Sequence, residues 1–235
     1  FENKNVIFFC GTKDKLAVVD LVEYFRAETP DFTENHSQIL ETSGRARAFV
    51  KIQDGCNNFC SYCIIPHLRG RSISRSEEEI LREISALSAV SDEIVITGIN
   101  IMLYGRDTNT TLTDLFRKLN NLEKRLRISS FYAEGITREM LDALFSIKNF
   151  CPHFHLSLQS GDRDVLKKMN RRYTPEEYLE KINLIREYDK NASITTDIIV
   201  GFPTETDIQF ENTLNFAKTA KFSDIHVFPF SPRKG

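Results

Sequence analysis

The sequence predicts an α/β fold in which parallel strands alternate with helices as an incomplete, six-stranded (β/α) TIM-like barrel. From residue 44 onward, short apolar runs alternate with amphipathic helical patterns, which is typical of parallel strands joined by helical crossovers. Within residues 153–159 every second side chain is polar, whereas a parallel strand covered by helices on both faces is apolar throughout. A barrel with a polar lumen explains this alternation, and six strands leave it open on one side.

Six strand-like runs and five helical patterns make up the repeat. The strands are predicted at residues 48–53, 93–97, 126–130, 153–159, 195–201 and 224–230. Ser76 followed by Glu79 predicts a capping box at the first helix, and Thr174, Pro175 and Glu177 predict a second one with proline at the first helical position. Every helix is predicted to follow a strand. The apolar stripes expected to face the core are Ile80, Ile84, Leu87 and Val90, then Leu112, Leu115, Phe116 and Leu119, then Leu141, Leu144 and Phe145, then Tyr178, Ile182 and Ile185, and finally Phe210, Leu214 and Ala217.

Composition and chain ends set the wider expectations. With 31 Lys and Arg against 33 Asp and Glu among 235 residues, the formal net charge is −2, which excludes a uniformly basic surface but not a local basic patch. The sequence has neither a long apolar run nor a signal-peptide pattern, so a cytoplasmic location without a membrane is expected. Residues 1–43 are predicted to be a separate partial segment with a linker, and residues 44–235 the main domain. The start at Phe1 and the loop-like end predict a fragment or processed chain.

Three of the five cysteines lie close together, directly after the first predicted strand. Cys56, Cys60 and Cys63 are separated by three and then two residues. Three thiolates on one loop can hold three irons of a cubane cluster and leave the fourth iron open for chemistry. Zinc with His67 as a fourth ligand is the alternative. Cys10 and Cys151 are isolated, and a buried thiol is expected for Cys151 and for Cys10.

The segment CNNFCSYC at residues 56–63 resembles the signature of the radical S-adenosylmethionine (SAM) superfamily. Its surroundings, RARAFVKIQDGCNNFCSYCIIPHLRGRSISR at residues 45–75, resemble the radical SAM methylthiotransferases, most closely those that act on threonylcarbamoyladenosine in tRNA. Further similar segments are ITGIN at 96–100, HLSLQSG at 155–161, LKKMNRRYT at 166–174, TTDIIVGFPTET at 195–206 and HVFPFSPRKG at 226–235. The resemblance therefore covers residues 45–235.

This resemblance implies a radical SAM barrel, preceded by the last part of an N-terminal methylthiotransferase domain. It implies that a 4Fe–4S cluster on Cys56, Cys60 and Cys63 binds SAM and cleaves it reductively to a 5′-deoxyadenosyl radical. Complete members add an N-terminal domain with three more cysteines for an auxiliary 4Fe–4S cluster, and a small C-terminal RNA-binding domain. The auxiliary cluster is therefore expected only in the full-length protein, and this chain is expected to cleave SAM without methylthiolating a substrate.

The candidate SAM-binding residues follow from the strand ends and from the resemblance. The site of a barrel enzyme lies at the carboxyl ends of its strands, and the similar segments fall there. Glycine at a strand end lets backbone approach a ligand closely, with an ordinary turn glycine as the alternative. For the polar residues, a purely structural network is the alternative. The cofactor-binding candidates are Tyr62, Thr97, Gly98, Asn100, Ser157, Gln159, Asp197 and Gly201.

Two positions depart from the family pattern, and five arginines form a candidate substrate-binding set. Thr204 stands where glycine is usual, and only the loop conformation is expected to change. Residues 129–137 lack a Glu-Pro pair, so no ligand contact is assigned near Tyr132. Guanidinium groups bind RNA phosphate or a threonylcarbamoyl carboxylate, with solvated surface charge as the alternative. The arginines are Arg69, Arg71, Arg75, Arg171 and Arg172, and no ligand constellation is expected among His36, His67, His153, His155 and His226.

The predicted function is tRNA modification, namely methylthiolation of carbon 2 of N6-threonylcarbamoyladenosine next to the anticodon. The expected partners are tRNA and an electron donor such as flavodoxin or ferredoxin, and the oligomeric state stays open. One alternative is a methylthiotransferase for isopentenyladenosine in tRNA or for a ribosomal protein. Another, from a different class, is a non-catalytic zinc-stabilised RNA-binding module.

Overall fold

The computed structural model describes residues 46–232 as an array of strands with helices packed along its outer side. The strands are β1 (Arg47–Asp54), β2 (Ile73–Ser74), β3 (Glu93–Gly98), β4 (Arg125–Ile128), β5 (His153–His155), β6 (Ser193–Val200) and β7 (Asp224–Pro229). The helices are α1 (Ile65–Arg69), α2 (Glu77–Ser88), α3 (Leu112–Lys118), α4 (Arg138–Phe145), α5 (Arg163–Lys168), α6 (Pro175–Tyr188) and α7 (Asp207–Ala220). The predicted segment 1–43, with Cys10 and His36, lies outside the described residues.

The strands form an open parallel array. Their order is β2-β1-β3-β4 in one sheet and β5-β6-β7 in the next, and every pair is parallel except β1 with β2. Phe131 joins the two sheets, since it bridges to Leu156 and its N–H donates to the His155 carbonyl oxygen at 2.8 Å. Among residues 46–232 no pairing connects β1 to β7. The predicted incomplete barrel of six parallel strands is confirmed.

The core lies between the strands and the helices, and the inner side of the array is polar. Phe154, Leu156 and Leu158 are fully buried, as expected for side chains that face helices. At the amino-terminal ends of the strands, Glu93 accepts ion pairs from three arginines, at 2.8 to 3.2 Å from Arg47, Arg125 and Arg127. The predicted polar lumen is therefore present, with a charged network at the end opposite to the cysteines.

Helix caps and faces match the sequence patterns with three exceptions. Thr174 and Glu177 form a full capping box, whereas Ser76 only accepts the Glu79 N–H and makes half of one. Val90 lies beyond the end of α2 and is exposed. The predicted stripe of α7 is wrong at two of its three positions. Phe210 and Leu214 are exposed, whereas Ala217 is partly buried against the core, and the buried residues are Thr213 and Ala220.

The rotation of α7 has a packing cause in a glycine of the facing loop. A Cβ at Gly161 would come within 2.7 Å of the Phe216 Cβ and 2.8 Å of the Thr213 Cα. The Thr213 hydroxyl also accepts the Gly161 N–H at 3.0 Å. Because of this close approach, the face of α7 that packs against the loop is the one that carries Thr213. A hydrophobicity pattern alone does not predict that face.

Among the α-helices and strands, three short elements were not predicted, and β5 is shorter than expected. The missed elements are α1, β2 and α5, and because α5 and α6 both follow β5, the expectation that each helix follows a strand is wrong. β5 ends at His155 because the Thr196 hydroxyl accepts the Leu158 N–H at 3.0 Å and donates to the Leu156 carbonyl at 2.5 Å. A side chain thus replaces backbone ladder bonds. Within residues 46–232, no helix combines the length and apolar character needed to cross a membrane.

Candidate metal and cofactor site

The cysteine loop begins with a turn that only glycine adopts easily. Gly55 has φ +73°, and a Cβ there would lie 2.1 Å from the Arg71 carbonyl oxygen. The Cys56 N–H donates to the Gly70 carbonyl at 3.1 Å. Both ends of the loop are therefore joined by backbone contact directly after β1, at the carboxyl end of the strand.

A second set of contacts fixes the middle of the loop to the end of α5. Asn170 has a left-handed backbone with φ +57°, a conformation that asparagine tolerates at helix ends. Its side-chain amide donates to the Asn58 and Phe59 carbonyls at 3.2 and 2.9 Å. The Ser61 hydroxyl donates to the Lys168 carbonyl at 2.8 Å. The thiols are thus held in place by protein contacts alone.

The three thiols have the chemistry of an iron–sulfur ligand set. All are free, with Cys56 and Cys60 buried and Cys63 partly exposed. The Asn58 N–H donates to the Cys56 sulfur at 3.5 Å, and hydrogen bonds to sulfur are one means by which proteins tune such clusters. Burial raises the pKa of Cys63, and the nearby Cys60 and Cys56 raise it further, so a bound cation would favour the thiolate of Cys63.

The spacing of the sulfurs favours a cluster over a single ion. Among residues 46–232, the three cysteine sulfurs do not all lie within 4.8 Å of one another. A tetrahedral zinc ion with bonds of about 2.3 Å would hold its sulfurs roughly 3.8 Å apart. His67, the proposed fourth zinc ligand, packs its ring edge against Phe59 with centroids 5.8 Å apart. Cys60, Cys63 and His67 also line a cavity of about 300 Å³, so the donor set fits a cubane with an open face.

Arg171 lies inside this site and not on the surface where RNA contact was expected. It is 8% exposed, and its guanidinium donates to the Cys60 sulfur at 3.6 Å and to the Ser157 carbonyl at 2.7 Å. It also lies over the Tyr132 ring, 4.5 Å from the centroid. A buried fixed cation therefore stands beside the Cys60 thiol, and Tyr132, to which no contact was assigned, packs against this cation.

Burial and charge around Arg171 shift its neighbours in a consistent direction. Burial raises the pKa of Tyr132 to about 12, against the lowering effect of Arg171. Burial also raises the pKa of Tyr62. Although burial alone lowers the pKa of Arg171, Tyr173 and its other neighbours raise it. Arg171 thus carries a permanent positive charge in contact with the phenol rings of Tyr132 and Tyr173.

The other candidate arginines divide into paired and exposed groups. Arg75 is held by Glu83 at 2.6 Å, and Arg69 by Asp54 at 2.9 Å. Arg71 is exposed and stacks over Phe59, and Arg172 is exposed. Arg71 and Arg172 are the members of the set that present their charge outward.

Gln53, which the sequence analysis did not single out, connects the cysteine loop to the end of β3. Its side chain is fully buried and donates to the Gly55 carbonyl at 2.7 Å, while its oxygen accepts the Asn100 N–H at 2.9 Å. The space beside Gly98 is occupied by Gln53 and Ile101. The absence of a side chain at Gly98 thus makes room for Gln53, and the signal in the sequence was a glutamine at an otherwise apolar strand end.

The remaining SAM candidates lie at the carboxyl ends of their strands. Gln159 has φ +75°, a strained conformation of the kind that collects at functional sites, and its N–H donates to the Asp197 carbonyl at 2.8 Å. Thr97 ends β3, and Gly201, with φ +69°, has open space around it and donates to Glu205 at 2.7 Å. Tyr62 lines the cysteine cavity.

Asp197 is already engaged by two histidines, contrary to the expectation that the histidines form no constellation. His155 Nε2 lies 3.0 Å from Asp197 Oδ2, and His226 Nδ1 lies 3.2 Å from Asp197 Oδ1. Burial raises the pKa of Asp197, but the hydrogen bonds from both imidazoles outweigh it and lower the pKa overall. The three residues come from β5, β6 and β7, so no local spacing in the sequence reveals that they meet.

Thr204 keeps the backbone that glycine would take. Its φ is +69°, an unusual value for a β-branched residue. The Lys168 ammonium donates to its hydroxyl at 2.7 Å. Thr204 therefore holds a backbone conformation that favours glycine, at a cost in strain.

An open parallel strand array with three free thiols on the loop after β1 defines a radical SAM barrel. The Radical SAM superfamily profile matches residues 50–217, and the chain belongs to this superfamily.

Relatives of two kinds are similar over most of the chain. Threonylcarbamoyladenosine tRNA methylthiotransferase MtaB of Chlamydia pneumoniae is 41% identical over 227 residues, covering 95% of this chain and 52% of the relative. The tRNA-2-methylthio-N(6)-dimethylallyladenosine synthase of Desulfotalea psychrophila is 37% identical, covering 96% of this chain and 55% of the relative. The chain spans about half the length of these curated relatives.

Solved structures confirm the fold. Coproporphyrinogen III oxidase (HemN) from Escherichia coli, a radical SAM enzyme, superposes with a TM-score of 0.60 at 19% identity, covering 91% of this chain and 52% of that chain. The cobalamin-dependent radical SAM enzyme OxsB, in its apo form, has a TM-score of 0.64 at 14% identity, covering 88% of this chain and 35% of that chain.

Proposed function

We propose that this chain is the catalytic core of a radical SAM tRNA methylthiotransferase, with carbon 2 of N6-threonylcarbamoyladenosine as the modified position. The observation that carries the proposal is the loop of three free thiols, held at the carboxyl ends of the strands beside a buried guanidinium. The 41% identity to a threonylcarbamoyladenosine tRNA methylthiotransferase supports the choice of substrate. Its tRNA substrate and a flavodoxin or ferredoxin as electron donor belong to the same proposal.

Cys56, Cys60 and Cys63 would hold a 4Fe–4S cluster. When bound, this cluster together with SAM supplies a radical strong enough to abstract hydrogen from an unactivated C–H bond. The protein's own part is to hold the thiols in place and to keep a permanent positive charge at Arg171 beside Cys60. Such a fixed, buried charge stabilises negative charge in the pocket without reorganisation.

The proposed SAM-binding residues keep their positions at the strand ends. Thr97, Asn100, Ser157 and Gln159 lie on or next to strands whose carboxyl ends converge at the cysteine loop. Gly201, with open space around it, and Tyr62 would border the adenine. In this proposal Gly98 acts indirectly, by making room for Gln53. Asp197 also acts indirectly, through its hydrogen bonds with the two histidines. For RNA contact, Arg71 and Arg172 are the stronger candidates because their charges are exposed.

The first experiment is anaerobic reconstitution with iron and sulfide, followed by iron analysis and a SAM cleavage assay. We expect one 4Fe–4S cluster and formation of 5′-deoxyadenosine. Cys60→Ala should abolish cleavage, whereas the matched control Cys151→Ala, a buried thiol away from the loop, should leave it intact. If a variant lacking all three loop cysteines still bound about four irons, the assignment would be wrong.

The second experiment tests the substrate. The natural gene product is incubated with reductant, SAM and hypomodified tRNA that carries either threonylcarbamoyladenosine or isopentenyladenosine, and the nucleosides are analysed by mass spectrometry. Methylthiolation of the threonylcarbamoyl nucleoside alone is expected. Methylthiolation of the isopentenyl nucleoside alone would assign the protein to the other kind of relative.

A further inference from the structure

Two histidines and an aspartate converge inside the strand array, on the half built from β5, β6 and β7. His155 Nε2, Asp197 Oδ2 and His226 Nδ1 belong to three different strands, and each residue offers a ligand atom within 4.8 Å of the other two. Strand pairing fixes this arrangement, because His155 is paired with Thr195 and Asp197 is paired with His226. The convergence is therefore a property of sheet register and not of flexible side chains alone.

The orientation of His155 is set by a neighbouring hydroxyl. His155 Nδ1 lies 3.0 Å from Thr195 Oγ1, and Nε2 faces Asp197. Histidine ligands of metals typically hydrogen-bond through the second ring nitrogen, which fixes ring and tautomer. A hydroxyl both donates and accepts, so Thr195 can support the tautomer whose Nε2 lone pair is free for a cation.

The two imidazoles lie together in a way that suits one shared cation. Their rings are stacked with centroids 5.6 Å apart at an interplanar angle of 29°. The side chains of His155 and Asp197 are mostly buried, at 14% and 25% exposure, while that of His226 is 56% exposed. The site is consequently closed on the strand side and open toward the lumen.

We propose that His155, Asp197 and His226 form a second metal site, which binds one divalent transition ion such as zinc. Two imidazoles and one carboxylate are the ligand types that zinc and ferrous iron accept, with three protein ligands and an open position for water or an exogenous oxygen ligand. The site uses none of the three loop cysteines, so zinc binding there can be tested in the absence of the proposed iron–sulfur cluster.

The test measures zinc binding in a background that cannot hold the cluster. Tag-free protein with Cys56, Cys60 and Cys63 all replaced by Ala is titrated with zinc against a chromophoric chelator, and with cobalt by visible absorption. We expect one ion per chain and a cobalt spectrum without thiolate charge-transfer bands. Adding Asp197→Asn or His155→Gln should weaken binding roughly 100-fold or more, and Thr195→Val, which removes only the orienting hydroxyl, about 10–100-fold.

The matched control is His153→Gln, which replaces another lumen histidine that also contacts Thr195, at 3.3 Å. It should leave the zinc dissociation constant unchanged. His226→Gln, at the exposed member, keeps the test valid if a buried variant does not fold, which circular dichroism monitors. If the folded variant that lacks the three loop cysteines bound no stoichiometric zinc, the proposal would be overturned. The three residues would then form a hydrogen-bond network without a metal. Equal loss of affinity in His153→Gln would overturn the ligand assignment.

Discussion

Replacing Gln53 tests whether one buried amide joins the cysteine loop to the strand array. In Gln53→Met the shape is roughly kept, but the Asn100 N–H and the Gly55 carbonyl lose the side-chain partner they have in the native structure. Each buried polar group left without a partner costs about 1–3 kcal/mol, so unfolding free energy should fall by about 2–6 kcal/mol. Since domains of this size unfold with about 5–15 kcal/mol, the variant should remain folded but weakened.

Urea unfolding followed by circular dichroism measures this loss. With a slope of about 2 kcal/mol/M, in the middle of the usual range, the midpoint should fall by roughly 1–3 M. Lys51→Met, on the exposed side of the same strand, serves as the control and should change stability by less than about 0.5 kcal/mol. A midpoint shift of under about 0.3 M for Gln53→Met would show that the amide does not join the two segments.

Gln53→Glu extends the same test, because its effect on stability should depend on pH in a predicted direction. The carboxylate keeps an acceptor for the Asn100 N–H but places an oxygen where the native amide donates to the Gly55 carbonyl. Burial should raise the pKa of the introduced acid in the folded state above its unfolded value of about 4.3. Its protonated form can donate, so stability relative to the native protein should be greatest at low pH and fall as pH rises through the folded pKa. A pH-independent difference would contradict this reasoning.

Three further predictions concern backbone strain and charge. Gly201→Ala, with open space at φ +69°, should lose roughly 1–2 kcal/mol of stability. Gly55→Ala should lose clearly more and take up less iron, because its Cβ would lie 2.1 Å from a carbonyl oxygen. Equal losses of stability in urea unfolding would contradict the steric argument. Thr204→Gly should raise the unfolding free energy by about 1 kcal/mol, less whatever the Lys168 hydrogen bond contributes, and a lower thermal midpoint would oppose it. Burial raises the pKa of Asp54, but its hydrogen bonds and ion pairs outweigh this effect and hold the pKa well below its usual range. Asp54→Asn should therefore lower the unfolding free energy by about 1 kcal/mol at pH 7. This loss should shrink as the pH falls below about 3.9.

Local patterns predicted the fold because its determinants lie close together in the chain. The stripe of Tyr178, Ile182 and Ile185 and the caps at Thr174 needed no tertiary information, and the structure has them where expected. The face of α7 was mispredicted because Gly161, some fifty residues earlier in the chain, decides which side packs.

The site was predicted only as far as its spacing was local. Cys56, Cys60 and Cys63 lie on one loop, so their association was visible in the sequence. Arg171 was expected at the surface because arginine usually is exposed, and only the fold brings it within reach of Cys60. His155 and His226 are seventy-one residues apart in number and meet through strand order alone.

The double anchorage of the cysteine loop separates folding from metallation. Small zinc domains fold only when the metal arrives, whereas here Gly55 and Asn170 fix the loop by contacts that involve no ion. Little conformational entropy then remains to be lost when iron and sulfide bind. We therefore expect the chain to remain folded when a cluster is lost by oxidation, so that the same molecule can be reloaded with iron and sulfide without passing through the unfolded state.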